Sequence, residues 1–207
     1  MKAIFRTGYY SSLIAFAAIM GYSIAQILQL AGVLHPHLDE VLIYGFSLCI
    51  ATPFLVAMIA LHYTVPVQKR MWTHIAIAFS TMYAVFVTIM YVVQLVTVVP
   101  GKHPSASSDV LTVTPHSLFW TLDALGYIFM GLATLAAMPV FTHQKNEKWV
   151  RGFFLAHGLL TPLITFVYFY PHYSTFLLYF GSPWIITASG ATLTLALYFR
   201  NHETQTG

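Results

Sequence analysis

The stretches without a formal charge constrain this chain most. No Lys, Arg, Asp or Glu lies between Arg6 and Asp39, and further long apolar runs follow as far as Phe199, parted by short charged or proline-bearing turns. A helix rises about 1.5 Å per residue, so about 20 apolar residues cross the hydrocarbon of a bilayer. In lipid only helices and closed barrels satisfy their own backbone groups. These runs predict an all-α, polytopic membrane protein. Its single domain, residues 1–207, is expected to be a six-transmembrane-helix bundle with spans at about 9–34, 41–65, 71–99, 116–142, 149–170 and 175–199. Charged residues make up 7% of the chain, where a soluble domain carries about 25%. Lys2 and Arg6 before an apolar run resemble a signal peptide, but the run is about twice the 7–15 residues of a signal core, so a retained first helix is expected.

The basic residues orient the bundle. With six spans, Lys2, Arg6, Lys69, Arg70, Lys145, Lys148, Arg151 and Arg200 fall on one side and only Lys102 on the other. By the positive-inside rule both termini are expected to be cytoplasmic. Asp39, Glu40 and Asp109 then lie outside, and residues 100–115 form an outer loop. Nucleic-acid binding is excluded, because the basic residues flank apolar spans instead of sharing one face. Cys49 is the single cysteine, so no internal disulfide or paired-cysteine metal site forms.

One span carries a charge well inside its ends. In PHSLFWTLDALGY, residues 115–127, His116, Trp120, Asp123 and Tyr127 are spaced to share one helical face. A carboxylate at a helix centre in lipid costs about 2.5–3.5 kcal/mol, so Asp123 should face the protein interior. Counting along the helices places Asp123 roughly 10 Å below the outer end, Gln94 and Gln29 roughly 8 Å, and Gln26 roughly 12 Å. Tyr22, Gln26 and Gln29 line one face of the first helix, beside a seam of Ala17, Gly21 and Ala25 suited to close packing. Tyr83, Val87, Met90 and Gln94 line a face of the third, with Tyr91 adjacent. Helices one, three and four are therefore expected to enclose a pocket in the outer half. Simple mutual hydrogen bonding that holds the bundle together is the competing reading of the same groups. Every Lys and Arg sits at a membrane boundary, so Asp123 must be protonated, paired with His116 or His157, or neutralised by a bound cation.

The other histidines fall in loops or near helix ends. His62 and His74 share a depth near the cytoplasmic face, so two facing imidazoles there could ligate haem or a metal, although interfacial anchoring explains them as well and no cofactor is expected. No span holds a lysine for a retinal Schiff base, and HExxH, GxSxG and Walker motifs are missing from the sequence.

The segments MYAVFVTIMYVVQLVTVVP and PHSLFWTLDALGYIFMGLATLAAMPVF resemble those of an uncharacterised group of small bacterial multi-span proteins, over roughly Leu61–Gly158. The resemblance implies a helical inner-membrane protein and carries no activity. The expected function is binding of an amphiphilic or cationic small molecule, as a sensor or small transporter. Asp123 would supply charge, Gln94, Gln26 and Gln29 orientation, Trp120, Tyr91, Tyr127 and Tyr22 the walls, and His116 or His157 a partner. The alternatives are an intramembrane enzyme acting on lipid or isoprenoid, with Asp123 and a histidine as acid and base, and a structural subunit of a larger membrane complex or homo-oligomer.

Overall fold

The computed structural model describes residues 1–35, 37–102, 108–144 and 147–205. The described residues are helical with no strand, and six helical stretches are long and apolar enough to cross a membrane. They begin with α1 (Lys2–Leu30), α2 (Leu38–Thr64) and α3 (Arg70–Val93). A short α4 (Ser108–Leu111) precedes α5 (Leu118–Ala137). The fifth stretch is α6 (Lys148–Leu159) followed by α7 (Thr161–Phe169), and the sixth is α8 (Thr175–Tyr179) followed by α9 (Pro183–Gln205).

Local chemistry sets the ends of these helices. α1 stops four residues before the expected end at residue 34, because Gly32 takes φ +67°. There the Gly32 N–H donates to the Gln29 carbonyl at 2.9 Å and the Val33 N–H to that of Leu28 at 3.0 Å. This paired closure satisfies the last carbonyls and needs a left-handed residue, which glycine supplies without strain. α3 continues into a wider π-type turn over Gln94–Val98, and Gly101 at φ +65° closes it in the same way. Ser117 starts α5, its Oγ accepting from the Trp120 N–H at 3.1 Å.

The two last stretches are broken where continuous helices are expected at 149–170 and 175–199. Pro162 has no N–H to give to a carbonyl one turn back, and α6 hands over to α7 at Leu160. Pro183 likewise begins α9 after a tight turn at Phe180–Ser182. Pro53 lies inside α2 without ending it.

Packing follows chain order and then closes. α1 packs on α2, α2 on α3, α3 on α5, α5 on α6 and α7, α6 on α9, and α9 returns to α1. The result is a ring of six spans in which each lies beside its sequence neighbour. Its interior is filled by Phe54, Met58, Met90, Met130 and Phe154, all nearly inaccessible. Small residues let the backbones approach. A Cβ on Gly158 would meet the Leu135 Cβ at 2.6 Å and its Cα at 3.1 Å, so only glycine fits α6 against α5 there. Of the expected alanine–glycine seam, Ala25 is buried and Gly21 lies under the Phe46 ring, while Ala17 faces outward. Outward faces carry Ile14, Ile24, Ile27, Val85, Ile89 and Ile186, as a lipid-facing surface would.

One end of the ring gathers the described basic residues other than Lys102. Arg6 pairs with Glu203 at 3.5 Å and Glu147 with His202 at 3.7 Å. Lys69 Nζ donates to the Val140 carbonyl at 2.7 Å and Arg151 Nη1 to that of Phe141 at 3.0 Å. The first and last helices and two of the connections are thereby tied together at this end.

Candidate functional site

Toward the opposite end, Asp123 sits five residues into α5, about 8 Å from its first residue. It is part-buried and turned toward the middle of the ring. Tyr91 of α3 donates its hydroxyl to Asp123 Oδ1 at 2.8 Å, and Tyr168 of α7 donates to Oδ2 at 2.8 Å. Both carboxyl oxygens are therefore occupied by phenols from the two helices flanking α5. Ser47 of α2 lines the same cavity as Tyr91 and Tyr127.

Aromatic rings close around this core. Trp120 packs on Tyr168 with centroids 4.7 Å apart and donates its Nε1 to the Tyr168 carbonyl at 2.9 Å. Trp184 of α9 meets Tyr127 edge-on at 4.9 Å and Tyr22 at 5.8 Å. Tyr44 stacks on Tyr91 at 5.7 Å. Each of the six stretches contributes a side chain. Asp123 lines a small cavity with Ser47, Tyr83, Tyr91, Tyr127 and Trp184. Its volume is about 10 Å³, room for a single water. Trp184 lines the cavity, and its Nε1 is buried without an acceptor among the described residues.

Of the residues singled out from the sequence, Asp123, Trp120, Tyr127, Tyr91 and Tyr22 meet in this cluster. The glutamines do not. Gln26 Nε2 donates to Gln29 Oε1 at 2.8 Å, and Gln29 Nε2 donates to Asp39 Oδ2 at 2.8 Å, pinning α1 to the start of α2. Gln94 is buried, its Nε2 donating to the Leu111 carbonyl at 2.7 Å, and so it anchors α4. An amide pairs with the first donor or acceptor in reach, and each of these finds one near its own helix end.

Neither histidine pairs with Asp123. His116 has φ +66°, is exposed and precedes the Ser117 cap, so it lies outside α5 and off the face of Asp123. His157 is buried, with Nδ1 2.9 Å from Thr187 Oγ1 and its ring 6.1 Å from that of Trp184. Tyr168, Trp184, Tyr44 and Ser47 are members of the cluster that the sequence argument did not select.

At the basic end, the His62 and His74 rings lie 4.2 Å apart, tilted by 43°. Two axial imidazoles on one haem iron place their centroids about 6 Å apart, given Fe–N bonds near 2 Å on opposite faces. The pair is too close to admit a porphyrin between the rings. His62 Nδ1 is instead 2.8 Å from Thr73 Oγ1. Among the described residues no group of three or more His, Cys, Asp or Glu side chains could hold a metal ion.

No family model matches this chain, nor does any curated protein or solved structure. The fold defines a helical bundle with six stretches able to cross a membrane, and the site defines a carboxyl ringed by phenols and indoles.

Proposed function

We propose that this chain is a multi-pass protein of the bacterial inner membrane, both ends cytoplasmic, that binds a small cationic amphiphile against Asp123 in the outer half of the bilayer. The observation that carries this reading is the environment of Asp123. Its carboxyl is held by Tyr91 and Tyr168, surrounded by aromatic faces, and among the described residues has no Lys, Arg or His in contact. A carboxyl inside lipid needs a countercharge or a proton, and faces of Tyr and Trp attract cations when water is excluded. An organic ammonium group satisfies both demands. A polar oxygen on the same ligand would also meet the unpaired Trp184 Nε1.

The small cavity means that such a ligand binds only as the ring opens, selecting a less populated form. The proline breaks are placed to allow this, because they interrupt the two stretches that carry Tyr168 and Trp184. Discontinuous helices beside a polar site are a recurrent feature of transporters, and this is analogy at the level of architecture. The geometry gives the enzymatic alternative less support, since an acid–base pair of Asp123 with His116 or His157 is not assembled.

The test uses dodecyltrimethylammonium as probe and the full chain in a non-ionic detergent. Wild type is expected to gain thermal stability with added probe and to show its adduct by native mass spectrometry. Asp123→Asn should fold with a similar melting temperature and bind the probe on the order of tenfold or more weakly, a loss of about 1.4 kcal/mol. An Asn variant that is well folded and binds as wild type does would leave Asp123 with a purely structural role.

A further inference from the structure

A second site lies at the other end of the ring, on the outer surface where α1 meets α9. Lys2 and Arg6 from the first turns of α1, Arg200 from the last turns of α9, and Tyr9 and Tyr10 line an open groove of about 630 Å³. Among the described lining residues only Glu203 offsets the three cations of the rim, and Glu203 is already engaged by Arg6 at 3.5 Å. Among the described residues neither Lys2 nor Arg200 has an ion-pair partner.

Two further features say what would fill the groove. The Tyr10 ring, 54% exposed, sits one turn deeper than Arg6 and packs edge-on against Tyr9 with centroids 5.2 Å apart. Below it an apolar stripe continues along the outside of α1 through Ile14 and Ala17, and Leu197 is exposed on α9 one turn from Arg200. The order from the end inward is cations, then phenols, then bare hydrocarbon. That is the order of a phospholipid, whose phosphate meets basic side chains while its glycerol lies at the aromatic level and its acyl chains run on below. A free phosphate would use the rim alone and leave the stripe unexplained.

We propose that this groove binds the headgroup of an anionic phospholipid, with Lys2 and Arg200 on the phosphate and the acyl chains along Tyr10, Ile14 and Leu197. The inference rests on the membrane reading above but is independent of Asp123 and its ligand. An anionic lipid held here would bridge the first and last spans at the one seam where the ring closes on itself.

The experiment compares phosphatidylglycerol with phosphatidylcholine of the same acyl chains, at equal concentration, on the full chain in mild detergent by native mass spectrometry. Membrane residence is checked first by carbonate extraction of cell membranes, so that release of the chain there would refute the membrane reading rather than the groove alone. The wild type is expected to retain phosphatidylglycerol preferentially. The double variant Lys2→Gln/Arg200→Gln should lose about tenfold of that preference, while Lys148→Gln, another exposed basic residue outside the groove, keeps it. Thermal melting confirms folding of each variant. Equal retention of the two lipids overturns the proposal, as does a preference that survives in the double variant. Displacement of phosphatidylglycerol by millimolar inorganic phosphate would also overturn it, by showing that the rim alone binds.

Discussion

Asp123 joins three helices through two phenolic hydrogen bonds, and each can be removed while its ring stays. Tyr168→Phe deletes the donor to Oδ2 but keeps the packing against Trp120, so its cost should be that of one buried hydrogen bond, about 0.5–2 kcal/mol. Tyr170→Phe, two residues on and exposed, should change nothing measurable. Unfolding in micelles with denaturant distinguishes the two, and equal stability of both variants would mean that the Tyr168 hydroxyl does not hold Asp123. Residue chemistry was partly legible in the sequence. A lone carboxyl among apolar residues had to face inward, and aromatic positions on its own helix and on α3 had to be near it. The partner on α7 was not legible, because Tyr168 lies at the end of a helix whose phase is reset by the Pro162 break. Shared depth misled for the glutamines. Depth tells how far from the surface a group lies, not which way around its helix it points.

At the scale of the element, glycines and prolines carry most of the information. Gly158 of α6 faces the backbone of Leu135 as well as its side chain, so an added methyl cannot be absorbed by turning a rotamer. Gly158→Ala should therefore destabilise by about 1–3 kcal/mol through overpacking between α5 and α6. Gly45 of α2 has nothing within 4 Å of where its Cβ would be. There Gly45→Ala should stabilise by about 0.5–1 kcal/mol through helix propensity alone. Thermal melts of the pair in one detergent check both signs, and destabilisation of similar size at both positions would mean that α6 does not lie this close to α5. The apolar runs were enough to give the number of long helical stretches. The interruptions at Leu160 and at Phe180–Ser182 were written in the sequence as Pro162 and Pro183, but an apolar run reads the same whether it is continuous or broken, since hydropathy does not register a missing N–H.

At the scale of the whole molecule, ring closure makes the topology a strong test. An even number of spans places both ends of the chain at one end of the bundle, and the Arg6–Glu203 pair together with the Phe5–His202 ring stack joins them there. Lys69 and Arg151 at the same end donate to the carbonyls that close the fourth stretch, so the basic residues are packed into the architecture as well as distributed by side. The proposed orientation, with this end cytoplasmic, rests on charge, because moving this cluster across a bilayer would be opposed at its positive side chains. A chain carrying Cys49→Ala and a single new cysteine reports on it. Lys102→Cys, beyond the turn that ends the third stretch, should react with a membrane-impermeant maleimide in intact cells once the outer membrane is permeabilised. Gln144→Cys, between the fourth and fifth stretches, should react only after the inner membrane is opened. Reversal of the two would invert the bundle and place Asp123 in the cytoplasmic half. Labelling of both in intact cells would mean that the fourth stretch does not cross at all, and the Asp123 site would then lie outside the bilayer.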